Sequence, residues 1–175
     1  MDIKKATYST LAMMGTLEMF KEKLLMERET IDEVKDILDN GNSLTMQSIA
    51  YGKLDIAKYL LENKAKVNVI SKEGNNEFHC LAYHLKENGA LNLAYTLLNR
   101  GVDLDQKDKK FNNSAFWYLC LNAQRCNSIP MVEFISKCLA KNPDMDTTNK
   151  FGNSVRWLIE TSGILELQKL IRKEE

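Results

Sequence analysis

The chain has no net charge: 24 basic residues balance 24 acidic ones over 175 positions. A balanced chain has no general electrostatic drive toward DNA, RNA or anionic lipid. It also has no apolar run long enough to span a bilayer, and only two prolines. Its four cysteines, Cys80, Cys120, Cys126 and Cys138, form no Cys-x-x-Cys pair, and its two histidines, His79 and His84, are not spaced to complete a zinc site with them. These are the thiols of a reduced core in a cytoplasmic protein. Phosphate-binding loops, dinucleotide fingerprints, the serine-hydrolase elbow and the His-Glu-x-x-His signature are all missing. Cys80 beside His79 is no catalytic dyad, because adjacent helical residues point in different directions. No catalytic, cofactor-binding or metal-binding residue is expected. Asn112-Asn113-Ser114 fits a glycosylation acceptor, which matters only in a secretory compartment.

What the chain does have is ordinary for one soluble globular domain, with 44% hydrophobic and 27% charged residues. Within it one phrase recurs. Gly15-Thr-Leu-Glu-Met, Gly52-Lys-Leu-Asp-Ile, Gly89-Ala-Leu-Asn-Leu and Gly163-Ile-Leu-Glu-Leu share a frame at intervals of 37 residues or twice that. The copy missing from the series falls near Cys126, where Ser128-Ile129-Pro130-Met131-Val132 begins a similar apolar helix slipped by two residues. A period of this length points to stacked repeats. A second phrase keeps pace with the first: Asn40-Gly41-Asn42-Ser43, Glu73-Gly74-Asn75-Asn76, Phe111-Asn112-Asn113-Ser114 and Phe151-Gly152-Asn153-Ser154. Gly or Asn there can take positive φ, and Ser or Asn two residues later can cap a helix. The unit reads turn, helix, glycine-bounded loop, helix.

This unit resembles the ankyrin repeat. The matching residues in the second copy are Gly41-x-Ser43 in the turn, Ala50-x-Gly52 between helices, Leu54-Asp55-Ile56 opening the outer helix and Lys64-Ala65-Lys66-Val67-Asn68 after it. The third copy closes on Gly101-Val102-Asp103-Leu104-Asp105, near the family's Gly-Ala-Asp-Val-Asn. The family's Thr-Pro-Leu-His is degenerate here, and only His79 keeps the histidine. The resemblance implies an all-α ankyrin-repeat solenoid of stacked helix-turn-helix units joined by β-hairpin-like turns. It forms a single domain over 1–175, with repeats at about 5–39, 40–70, 71–107, 108–146 and 147–175.

Ala12-Met13-Met14-Gly15 places an inner helix in the first repeat, and an outer helix follows from about Leu17 to Glu27. The N-terminus makes a poor signal peptide because Thr7, Ser9 and Thr10 interrupt its apolar part. Residues 30–39 combine a capping Thr30 with apolar positions at 31, 34, 37 and 38, which favours a short extra helix, whereas repeat phase would place a hairpin there. Helical spacing predicts buried stripes at Leu54, Ile56, Ala57, Leu60 and Leu61, at Leu91, Leu93, Ala94, Leu97 and Leu98, at Met131, Val132, Ile135, Cys138 and Leu139, and at Leu165, Leu167, Leu170 and Ile171. Ser128 is positioned to cap the fourth outer helix. The turn-to-helix spacing in the third and fourth copies is about one helical turn longer than in the second and fifth. Extended inner helices or loops are therefore expected around His84–Asn88 and Ala123–Asn127.

In ankyrin proteins the turn tips and the exposed inner-helix positions contact a protein partner. The resemblance therefore implies a non-catalytic protein-protein interaction module, with inhibitor or immunity protein preferred over adaptor or scaffold. Nucleic-acid binding and enzymatic activity stand further back. On this reading the chain is almost all repeat, monomeric and cytoplasmic, and binding an unidentified protein is itself its function. Carried over by position, the contact residues are Tyr51, Lys72, Glu73, Asn75, Tyr83, His84, Lys110, Phe111, Asn113, Lys150, Phe151 and Asn153. Phe111 and Phe151 each follow a lysine at one turn position, as rim anchors would. Trp117 and Trp157 stand where the family has its histidine and are expected in the core. His79 is expected to hydrogen-bond the turn backbone.

Overall fold

The computed structural model of the chain describes residues 1–31 and 38–172, so most of the ambiguous 30–39 segment and the last three residues lie outside it. Ten helices form among the described residues: α1 (Tyr8–Met14), α2 (Leu17–Glu27), α3 (Leu44–Ala50), α4 (Leu54–Glu62), α5 (Glu77–Ala82), α6 (Ala90–Asn99), α7 (Ala115–Cys126), α8 (Ile129–Leu139), α9 (Val155–Glu160) and α10 (Leu165–Arg172). The fold is all-α. None of these helices is long and apolar enough to cross a membrane.

Consecutive helices pair, and the pairs line up in two rows. α1, α3, α5, α7 and α9 each pack on the next odd-numbered helix, and the even-numbered helices do the same in a second row. Helices of six or seven residues, such as α3, α5 and α9, are too short to persist alone. Their first turns are closed by side chains, and the apolar faces of α3 and α5 are covered on both sides by their row neighbours. Ser43, Ser114 and Ser154 each accept a backbone N–H three residues on, at 3.1 Å. Asn76 accepts from both Phe78 and His79. His79 completes that box with its ring, as Nδ1 accepts the Asn76 N–H at 3.2 Å.

The core runs continuously from Ile49 to Ile171, and a second cluster lies at the N-terminal end. Helix α4 serves both. Leu54, Ala57 and Leu61 face the larger cluster, while Ile56 and Leu60 face Leu11, Phe20 and Leu24. Alanines at Ala12, Ala57, Ala90, Ala94 and Ala115, all fully buried, let neighbouring helices approach closely, and Phe20, Phe78, Phe116 and Phe134 fill the wider gaps. Each such ring contributes about 1.5–3 kcal/mol by leaving water.

The loops between pairs form narrow turns along one edge. In each, a backbone N–H donates across the turn: Leu38 to Asn42, Ser71 to Asn75, Asp108 to Asn113 and Asn149 to Asn153, at 2.9–3.0 Å. The residue before the last of each turn has positive φ, namely Gly41, Gly74, Asn112 and Gly152. Each turn is also bonded to the one before it, with N–H donation from Lys72 to Asn40, Lys109 to Glu73 and Lys150 to Phe111 at 2.8–3.0 Å. The tips therefore stand in register.

The extra residues of the third and fourth units lie where the spacing puts them, in two different forms. Helix α5 stays short, and a loop at 83–89 takes up the surplus before Gly89 turns left-handed (φ 84) into α6. In the next unit the helix itself lengthens: α7 has 12 residues and ends on Asn127 in the left-handed region. Arg125 and Cys126 come within electrostatic reach of Tyr83 and Lys86, so the two extensions are neighbours.

Three expectations are corrected. Leu165 is 61% exposed, because it begins α10, outside the stripe that Leu167 and Ile171 bury. Trp157 is 45% exposed while Trp117 is buried. Their rings stack 4° from parallel, so Trp157 covers Trp117 and no further described unit covers Trp157. Ser128 makes no side-chain cap. Its carbonyl accepts from Met131 and Val132, and Pro130 needs no acceptor.

Candidate partner-binding groove

A groove of about 460 Å³ lies between the turn tips and the odd-numbered helices of three consecutive units. Asn42 and Ala50 come from the second unit, Glu73, Asn75, His79, Cys80, Tyr83 and His84 from the third, and Asp108, Lys110, Phe111 and Tyr118 from the fourth. The walls are aromatic. The ring of Tyr118 lies 6.0 Å from Tyr83 and 5.5 Å from His79, centroid to centroid. On the tip side the ring of Phe111 is 5.9 Å from Phe151, and the ammonium of Lys110 stands 4.8 Å over Phe111.

Each wall is held by its own element. Asp108 ties the fourth turn to α7: Oδ1 accepts the Phe111 N–H at 2.6 Å, and Oδ2 accepts the Asn113 N–H at 3.0 Å and the Tyr118 hydroxyl at 3.3 Å. His84 pins the 83–89 loop, with Nδ1 on Glu87 Oε1 at 2.6 Å and Nε2 toward the Ala50 carbonyl at 3.3 Å. His79 is buried, with Nδ1 on the Asn76 N–H and Nε2 making no hydrogen bond among the described residues.

Six residues expected at the contact surface line this groove: Glu73, Asn75, Tyr83, His84, Lys110 and Phe111. Tyr83 is 67% exposed, and Glu73 and Lys110 are also exposed. Tyr51 is exposed at the end of α3, and Lys72 is exposed on its tip; both lie outside the groove lining. Phe151 is 69% exposed and continues the aromatic rim. Lys150 is held back against the neighbouring turn, its Nζ donating to the Lys109 and Lys110 carbonyls at 2.7 and 2.9 Å. Asn153 is half-buried and bonded within its turn, its N–H donating to Asn149 Oδ1.

Asn113 is a correction. It is buried and bridges units: its amide donates to the Tyr118 hydroxyl at 3.3 Å and its Oδ1 accepts from Asn149 at 2.8 Å. A buried polar group needs internal partners, and these bonds supply them. Tyr118 and Asp108 were not foreseen as groove residues. Tyr118 lies four residues after the capping Ser114, just as Cys80 follows Asn76, and that register is the signal that marks it.

Burial sets the protonation of the lining. It pushes the Tyr118 phenol up to about 12, with the Asp108 charge adding to the effect, and raises Tyr83 in the same way. Burial pushes the Cys80 thiol up to about 12, reinforced by the charge of Glu77. At neutral pH the thiol is protonated, whereas a nucleophilic cysteine needs its thiolate. Burial also holds His79 below its ordinary value. The groove thus offers phenol groups, π faces and the carboxylate of Glu73, which suits recognition of a polypeptide surface. Among the described residues no three His, Cys, Asp or Glu side chains gather as metal ligands would. No protein-family model and no curated protein matches the chain.

Proposed function

We propose that the chain is an ankyrin-type repeat protein that works by holding a partner protein against this groove and the adjoining turn tips, without catalysing a reaction. The observation that carries the reading is the run of open aromatic surface from Phe151 through Phe111 to Tyr118 and Tyr83, which spans three units. Aromatic side chains supply large contact area at low entropic cost, and interface hot spots are enriched in them. The register of the tips and the regular alternation of the helix rows support the ankyrin assignment. The four unpaired cysteines suit a reducing, cytoplasmic setting. Within this reading, covering an enzyme or toxin as an inhibitor or immunity protein is preferred over acting as an adaptor.

Photo-crosslinking tests the proposal. A benzophenone amino acid placed at Phe151 or at Tyr83 captures one protein in cells of the source organism. The same group at Lys58, exposed in the even-numbered row, does not. Capture at Lys58 alone, or at no position, refutes a partner on this face.

A further inference from the structure

The groove holds a buried carboxylate that no cation pairs among the described residues. In the last three turns a side chain accepts the backbone N–H groups that close the loop. Ser71 Oγ accepts from Asn75 at 3.0 Å, and Asn149 Oδ1 accepts from Phe151 and Asn153 at 2.9 and 3.1 Å. Asp108 does the same for Phe111 and Asn113. Ser71 and Asn149 perform this task with one neutral oxygen, whereas Asp108 divides three donors between its two carboxylate oxygens in a turn one residue longer.

The charge at Asp108 lacks a counter-charge. The residue is 5% exposed, and among the described residues no Lys, Arg or His nitrogen forms an ion pair with its carboxylate. Burying a carboxylate without a cation is costly, and an arriving cation offsets that cost. The one cation lining the groove, Lys110, stands over the ring of Phe111. The field of Asp108 reaches both Tyr83 and Tyr118. Those rings present π faces, which attract cations, and Glu73 on the rim is exposed and forms no ion pair among the described residues.

We propose that the groove receives a basic side chain from the partner protein, with its guanidinium or ammonium against the exposed ring of Tyr83, beside Tyr118, and with Asp108 and Glu73 as counter-charges. This rests on the binding role proposed above and adds the chemistry of what enters. An Arg fits best, because its flat face stacks on the rings while its N–H groups reach the carboxylates.

A phage-displayed random peptide library panned on the intact chain tests it, with the Tyr83→Ala chain as the subtracting bait. The expected clones depend on Tyr83 and share an Arg or Lys at one position. Binding of a selected synthetic peptide falls about tenfold or more when that residue becomes Gln, or when the chain carries Asp108→Asn, as loss of a charge-assisted contact requires. Asp108→Asn replaces one of two accepting oxygens with an N–H donor, so a thermal melt accompanies the binding assay, and Glu73→Gln on the exposed rim carries the charge test where that melt falls. Glu73→Gln, on the exposed rim, gives a smaller loss in the same direction. Tyr83-dependent clones that carry no shared basic residue, or that bind both variants unchanged, overturn the basic-side-chain inference and leave the groove as a binding face. Failure to recover any Tyr83-dependent clone overturns both.

Discussion

Gly74 and Gly152 occupy the same place in two turns, with φ of 84° and 79°. Replacing either by Ala imposes the same left-handed strain, about 1–2 kcal/mol. The surroundings differ. A Cβ at Gly74 would stand 2.7 Å from the Lys107 carbonyl oxygen and 3.1 Å from the Lys109 nitrogen, whereas at Gly152 nothing lies within 4 Å. The Lys109 N–H is the one that bonds the Glu73 carbonyl at 2.8 Å, so Gly74→Ala also forces the two turns apart. Losing that bond costs about 0.5–1.5 kcal/mol and the overpacking about 1–3 kcal/mol. Gly74→Ala should therefore destabilise the protein by about 2–4 kcal/mol more than Gly152→Ala. For a chain of this size that is a melting temperature lower by about 5–15 °C. Paired thermal and urea melts measure the difference, and the shared strain cancels. Equal losses in the two variants would refute the stacking of the turns.

The remaining predictions concern packing, protonation and thiol access. Phe134→Ala removes a fully buried ring and should cost about 3–5 kcal/mol in urea denaturation; a loss below about 1 kcal/mol would contradict its placement against Phe78 of α5 and Tyr95 of α6. Trp117→Ala should cost more than Trp157→Ala, because only the first ring is buried; the reverse order would show that Trp157 does not form the outer layer. Burial raises the Glu77 carboxyl, so the folded state holds that proton more tightly than the unfolded state. The stability linked to this group is full below the ordinary carboxylate range and falls as pH rises through the folded value. Glu77→Gln should then gain on the natural protein as pH rises and match it in acid; a pH-independent difference would rule this out. In thiol labelling Cys126, half-buried at the end of α7, should react before the buried Cys120 and Cys138; faster reaction at either of those would place them nearer the surface.

Much of the helix pattern was legible because local rules and tertiary packing agree. Ser43, Ser114 and Ser154 cap because a hydroxyl two residues after a left-handed turn residue has little else to reach. The stripe Leu54, Ile56, Ala57, Leu60 and Leu61 is buried in full, because a helix packed on both sides has few positions left for solvent. Leu165 broke the pattern because α10 has no successor among the described units, and an apolar residue at the start of its helix remains in water. In the fourth stripe Phe134 is buried and the expected Val132 only half-buried, because α8 turns Met131, Phe134, Ile135, Cys138 and Leu139 inward at regular helical spacing. Asn113 failed as a contact residue because its side chain bonds Tyr118 and, in the next unit, Asn149, and local spacing does not reveal a partner 36 residues away.

The sequence by itself determined the helical units, their period and the turn position that needs positive φ, because each depends on residues within a few positions of one another. Only the tertiary structure decided which exposed groups share a groove. Tyr83, Asp108 and Tyr118 meet there because α5 and α7 pack side by side and because Asp108 bonds backbone and hydroxyl groups of the same unit. Such contacts join residues distant in the chain, and no local periodicity encodes them.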